Sequence, residues 1–223
     1  MKSYGQFCSF ARALDLLGER WTLLVVRELF SGSTRFNEIR RGIPRISRTM
    51  LSARLRELLD AGVIQRRPSD SGPAYTLTDA GHELAGTVRE LGTWGQRWLP
   101  RTLPSAELDA DTLLWDMRRR IRVEDLPSAP IVTRIEATGG RGAVRFLLLR
   151  RGEVSLCTEN PGFPEELRIS GPLRALTGWW RGDLSLADAR AAGMLVEGRR
   201  EWVRAFPSWF ERYLFANVMP AER

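Results

Sequence analysis

The sequence predicts an α+β protein of two domains, the first built as helix, turn, helix and hairpin. Three observations predict this. Residues 36–77 hold two helical apolar patterns, split by a Gly-Ile-Pro break, and then two short alternating stretches. The positive charge sits in the same place: Arg35, Arg40, Arg41, Arg45, Arg48, Arg54, Arg56, Arg66 and Arg67 stand against Glu38, Glu57 and Asp60, a net +6 in a chain whose total is +7. After breaks at Pro100–Pro104 and Leu126–Pro130, strand patterns come first and helical ones follow, which argues for a separate α+β domain.

Taken in order, Met1 to Phe7 reads as a loose arm. A helix starts at Cys8, with Phe10, Ala13, Leu14 and Leu17 at helical spacing, and Gly18 ends it. Glu19-Arg20-Trp21 opens a second helix whose apolar side is Trp21, Leu24, Val25, Leu29 and Phe30, and Ser31-Gly32-Ser33 closes it. Phe36 and Ile39 mark a short third helix that Gly42 terminates. Pro44 keeps the residue before it out of the α region, and Ser47 stands where an N-cap belongs. Leu51, Leu55, Leu58 and Leu59 then fall on one helical stripe, stopped by Gly62. Val63–Arg67 and the Tyr75/Leu77 alternation read as two strands around the turn Ser69-Asp70-Ser71-Gly72-Pro73. This is the layout of a winged helix. On the next helix, starting near Asp79, residues Leu84, Val88, Leu91, Gly95 and Trp98 repeat at coiled-coil-like spacing. That seam serves either a second copy of the chain or the chain's own second domain.

With 223 residues the chain is long enough for two ordinary cores. Its two cysteines, Cys8 and Cys157, are far apart, and neither an apolar leader nor a membrane-length apolar run is present, so a soluble protein of a reducing cytoplasm is expected. Clustered arginine on a helix-turn-helix is the electrostatic footprint of a DNA-binding surface; an Arg-rich solvated face carries the same charge.

Here the residues become specific. Cys8, Leu14, Gly18, Trp21, Arg35-Phe36, Ile39, Ile46-Ser47, Leu51, Leu55, Leu58, Gly62, Tyr75, Leu77, Thr78 and Gly81 occur in an order that resembles the HxlR-type winged-helix regulators, relatives of the MarR type. The match covers about residues 8–99 and departs from the pattern at Ser9, where proline often follows the cysteine. The resemblance implies a homodimer held by terminal helices and, by its two-fold symmetry, a palindromic operator in double-stranded DNA. With the leucine stripe facing inward, Thr49, Ala53 and Arg56 point away and Arg48 and Ser52 flank that face. Arg48 and Arg56 suit guanine edges or phosphates, Ser47 caps a helix end suited to a phosphate, Arg45 precedes it, and Arg66 and Arg67 begin the wing. Cys8 matches a cysteine that some of these regulators oxidise or alkylate, with Arg12 one turn on; it reads equally as a small buried hydrophobe.

In the second domain a helix is expected over Ser105–Arg120, strands over Ile131–Ala137, Ala143–Arg150, Val154–Cys157 and around Leu167–Ile169, helices from Pro172 and Ser185, and a short apolar stretch at Met194–Val196. Gly182-Asp183-Leu184-Ser185, Gly193, Leu195, Val196 and Gly198 resemble the later half of sterol-carrier-protein-like domains, which implies an apolar ligand. Trp179, Trp180, Trp202, Phe206, Trp209 and Phe210 are the candidate lining, or simply core. Domains 1–99 and 100–223 follow from the Pro100 break.

No enzyme is expected. The single histidine, His82, and two separated cysteines make no zinc set, Gly139-Gly140-Arg141-Gly142 lacks the lysine of a phosphate loop, and Glu165-Glu166 read as surface. No cofactor, metal or membrane partner is implied. The expected activity is transcriptional regulation, chiefly repression, tuned by an apolar ligand in the second domain. The alternatives are sensing through Cys8, or a ligand carrier that does not bind DNA.

Overall fold

A computed structural model describes residues 3–69 and 72–221. Asp70 and Ser71 of the expected turn, and Met1 and Lys2 of the expected arm, lie outside the described residues. The chain forms two compact units, Met1–Gly92 and Thr93–Arg223, so the division falls inside a helix, ahead of the break at Pro100.

The first unit runs α1 Ser9–Leu17, α2 Thr22–Phe30, α3 Phe36–Gly42, α4 Arg48–Asp60, β1 Ile64–Arg67, β2 Ala74–Leu77 and α5 Asp79–Trp98, which continues past Gly92. It is the winged helix the patterns describe. Val25, Val26 and Leu29 of α2, Ile39 of α3, and Leu51, Leu55 and Leu58 of α4 share one core with Ile64 and Leu77 of the wing. The strands pair antiparallel, with Ile64 opposite Leu77 and Arg67 opposite Ala74. Thr78 explains the start of α5. Its hydroxyl donates to the carbonyls of Gly62 and Val63 and accepts the Gly81 N–H, so one side chain ties the wing base to the helix. A Cβ at Gly81 would lie 2.2 Å from the Val63 carbonyl, which is why the position is glycine.

Two expectations about faces are corrected. Leu24 is 37% exposed, while Val26, left out of the expected face, is fully buried; the left-handed Trp21 (φ 83°) is the N-cap, and α2 itself begins at Thr22, whose side chain is buried with those of Val25, Val26 and Leu29. In α1 the inward residue is Ala11, while Phe10 is 71% exposed and Ala13 is also outside. The arm is not loose throughout: the Tyr4 N–H and the Ser3 hydroxyl donate to Asp15 of α1.

A buried carboxylate joins α2 to α3. Glu28 is fully buried and accepts from Arg27 at 2.7 Å and from the Ser33 hydroxyl at 3.1 Å. Arg27 also donates to the Gly42 carbonyl at 3.1 Å. The carboxylate fills the space beside Gly42, where a Cβ would come 2.0 Å from its Oε2.

The second unit has α6 Ala110–Arg118, β3 Ile131–Thr138, β4 Val144–Arg150, β5 Glu153–Cys157, β6 Glu165–Pro172, α7 Leu173–Arg181, α8 Leu186–Ala191, β7 Leu195–Gly198 and α9 Arg200–Ala205. The helix expected over Ser105–Arg120 is a 3-10 turn, Ser105–Glu107, and then α6, because Asp109 accepts the Thr112 N–H and starts a new cap. The sheet order is β5-β4-β3-β6-β7, with β6 parallel to β3 and the other pairs antiparallel. One face packs Ile131, Ile135, Leu147, Leu149, Leu167 and Ile169 against α6 and α7. On the other face Arg168 hydrogen-bonds Glu136 at 2.6 Å and holds its carboxyl below the usual carboxylate range. Among the described residues no helix is long and apolar enough to cross a membrane.

Gly42→Ala should lower stability by about 1–3 kcal/mol, the usual range for overpacking. The Glu28 carboxylate has to leave two hydrogen bonds to make room. Urea unfolding followed by circular dichroism measures this; a midpoint equal to that of the wild type would show that the carboxylate moves freely.

Candidate nucleic-acid interface

The α4 helix is set by its first residue and its inner stripe. Ser47 caps it, its hydroxyl accepting the Met50 N–H at 3.1 Å. Leu51, Leu55 and Leu58 are buried. The opposite face shows Arg48, Thr49, Met50, Ser52 and Arg56 to solvent, with Ala53 half-buried between them. Arg45 is exposed just ahead of the cap, and Arg66 and Arg67 are exposed on β1. Among the described residues Arg48, Arg56, Arg66 and Arg67 have no ion-pair partner, so their charge is available to an anion. A helix N-terminus bearing cations, followed by a hairpin bearing more, presents donors and positive field together.

Two of the nine arginines do something else. Arg54 lies on the buried side of α4 and pairs with Glu57 at 2.6 Å and with Glu19 of the α1–α2 turn at 3.5 Å. Arg35 donates to the Gly72 carbonyl and the Ser69 hydroxyl at the wing turn. Clustered charge in the sequence counted both toward the polyanion surface. Their partners are 34 to 37 residues away for Arg35 and, on the Glu19 side, 35 for Arg54; local spacing carries no signal for such contacts.

Cys8 is the N-cap residue of α1 and is exposed, not a buried hydrophobe. The backbone N–H groups of Ala11 and then Phe10 lower its thiol pKa from the ordinary value, overcoming a smaller opposing effect of desolvation. The help comes from the helix start and not from the Arg12 guanidinium. Cys157 is half-buried on β5, opposite Phe146.

In the second unit, Trp179, Trp180, Phe206, Trp209 and Phe210 are buried and Trp202 is half-buried. They pack on each other: Trp179 stacks on Phe206 at 5.4 Å, Phe210 meets Trp180 edge-on at 5.8 Å, and Trp202 lies 6.2 Å from Trp209. Trp180 donates to Asp116 at 2.8 Å. A cavity of about 10 Å³ is bordered by Trp179 and Phe206 together with Leu114, Met117, Ile135 and Met194. That is room for one water at most. Trp180, Trp202, Trp209 and Phe210 do not border it.

Comparison with known proteins adds the family. Residues 16–103 match the HxlR-like helix-turn-helix family. The HTH-type transcriptional regulator YvaP of Bacillus subtilis is 40% identical over 93 residues, which are 40% of this chain and 86% of that protein. The chain belongs to this family. YodB, an HTH-type transcriptional regulator of B. subtilis, is 37% identical over 39% of the chain and 80% of its own length. An HTH-type transcriptional regulator of Mycobacterium tuberculosis is 46% identical over 96 residues, 42% of this chain, and the chain spans 60% of that relative's length. Among solved structures, the reduced form of B. subtilis YodB is 36% identical, covers 41% of this chain and 93% of its own, and has a TM-score of 0.36. A quinone-bound form of YodB is 37% identical over 39% and 94%, with a TM-score of 0.35. The named relatives are transcriptional regulators.

Arg54→Ala and Arg56→Ala should separate the two kinds of arginine. Loss of Arg54 leaves Glu57 without its near partner inside the fold and should cost about 1–3 kcal/mol, whereas Arg56→Ala should stay within about 0.5 kcal/mol, as exposed substitutions do. Equal unfolding midpoints for the two variants would refute the assignment.

Proposed function

We propose that the chain is a sequence-specific, double-stranded-DNA-binding transcriptional regulator, a repressor in its unmodified form, which works as a homodimer and is switched at Cys8 by oxidants or electrophiles. The observation that carries DNA binding is the set of cations that have no ion-pair partner among the described residues, Arg48 and Arg56 on the outer face of α4 and Arg66 and Arg67 on the wing. In this reading Arg45, Ser47, Thr49, Ser52 and Ala53 complete the contact surface. Arg48 and Arg56 read bases or grip phosphate, and Arg66 and Arg67 lie along the backbone.

The dimer is supported by α5. Leu91, Trp94 and Trp98 are 54%, 54% and 43% exposed along one side of the helix, an apolar stripe of the kind that seeks a partner. A two-fold copy sets two recognition helices about one DNA turn apart and calls for a palindromic operator. Sensing is supported by the exposed, pKa-lowered Cys8, since the thiolate is the reactive form, and by YodB, a relative by sequence that is itself known in quinone-bound and diamide-treated forms. This is a better-supported input than an apolar ligand, because the filled aromatic core would have to open to admit one. A sterol-carrier-protein-like assignment of the second unit stands as a proposal on Gly182, Gly193 and Gly198, all left-handed glycines at the turns that motif uses.

Fluorescence anisotropy on the duplex upstream of the chain's own gene, against a scrambled duplex at two salt concentrations, tests the reading. Arg48→Ala/Arg56→Ala should weaken the specific complex by about 10- to 100-fold, the worth of one or two good contacts, with unchanged thermal unfolding. Equal affinity for both duplexes in the wild type would end the sequence-specific reading. For Cys8 the sign is fixed: its folded pKa is lowered, so the thiolate persists to lower pH than in the unfolded chain, and the alkylation rate should rise with a midpoint below the ordinary ~8.5. Any stability this contributes is present above the unfolded pKa and is lost as pH falls through the folded one. Cys8→Ser should bind DNA normally and ignore quinone or diamide. Release of DNA by these reagents from Cys8→Ser would rule out Cys8 as the switch.

A further inference from the structure

The wing is a hairpin of four residues per strand. Two strands alone are marginal in water, so the direction in which the wing points depends on what ties it down. Its base is held by Ile64 and Leu77 in the core and by the Thr78 hydroxyl. Tyr75 adds an apolar contact with the same core, and among the described residues the remaining hydrogen bonds that tie the wing down run to the N-terminus of α3. The Tyr75 N–H donates to the Thr34 carbonyl at 2.8 Å. The N–H groups of Thr34 and Arg35 donate to Glu38 Oε2 at 2.9 and 3.0 Å, which fixes the backbone at that point. From there the Arg35 guanidinium reaches the hairpin turn, Nη1 donating to the Gly72 carbonyl and Nη2 to the Ser69 hydroxyl. Ser69 passes the contact on, its hydroxyl donating to the Gly72 carbonyl at 3.1 Å and its carbonyl accepting the Gly72 N–H at 2.9 Å. One planar fork thus grips both arms of the hairpin, a geometry that a guanidinium supplies and an ammonium does not.

We propose that Arg35 is a positioning residue for DNA recognition: it holds the two arms of the wing against the start of α3, and so presents Arg66 and Arg67 to the duplex in a fixed relation to α4, without touching DNA itself. This rests on the DNA-binding reading above. The two donors it spends on the wing turn are donors it does not offer to phosphate. Because α3 also abuts Glu28 through Gly42, the wing is referred to the same scaffold that α3 packs on.

The test has two readouts, on the full chain. In the protein alone, amide exchange in Arg35→Lys and Ser69→Ala reports the clamp directly. The Tyr75 amide should exchange at least about fivefold faster, as for a locally opened segment, while α4 amides keep their wild-type protection and show that the fold is intact. An unchanged Tyr75 amide in both variants overturns the proposal. For DNA, affinity for the upstream duplex and for a mixed-sequence duplex at low salt is measured in a double-mutant cycle. Arg35→Ala should weaken binding about tenfold in the wild-type background and less than about twofold in Arg66→Ala/Arg67→Ala, because residues acting as one unit are not additive. Equal losses in both backgrounds, or full rescue by Arg35→Lys, would mean a direct charge contact with DNA and overturn it. Failure of the wild type to bind either duplex removes the DNA-binding reading instead, and the exchange readout still decides whether Arg35 holds the wing.

Discussion

The rotation of α4 about its own axis is the constraint on which the first unit depends. Leu51, Leu55 and Leu58 can enter the core together only at one rotation, and that rotation decides the fate of every arginine on the helix. Arg48 and Arg56 go to solvent. Arg54, three residues after Leu51 and four before Leu58, goes inward and has to be neutralised, which Glu57 and Glu19 do. Ser47 fixes where the helix begins and Gly62, left-handed at φ 69°, lets the chain turn into β1. The buried Glu28 at the α2–α3 junction then orients the supporting helices.

Most of the first unit was legible because its signals are local. Helical period, caps and glycines act within a few residues, so α3, α4, the hairpin and α5 stand where the sequence places them. Faces were harder. Leu24 turns outward and Val26 inward, and α2 starts from a left-handed Trp21, a backbone state that sequence gives little reason to expect of a tryptophan. Arg54 and Arg35 were counted with the DNA-facing cations because net charge cannot tell a paired guanidinium from a free one. Cys8 was ambiguous until the helix start placed it in solvent.

In the second unit the strands and helices were readable, but not their order in space. That β6 lies parallel to β3 depends on the chain crossing from one edge of the sheet past its centre, and no short pattern encodes such a path. The aromatics show a related limit. Trp179, on α7, and Phe206 and Phe210, near the end of the chain, suit a tunnel wall as well as a core, and their mutual contacts are invisible in the sequence. Stacked and edge-on rings at 5–6 Å leave almost no void.

The parallel β3–β6 pair also bears on the order of assembly. Val132 pairs with Glu165, so the centre of the sheet closes only after β4, β5 and the connection behind them have been made. Pairings this distant in sequence form slowly, whereas the first unit is dominated by helices and a tight hairpin that form early. Synthesis runs from the same end. The residues of the winged helix therefore leave the ribosome before β6 and β7 are made, and the arginine-bearing face of α4 and the Cys8 thiol need no residue of the second unit's sheet to be in place.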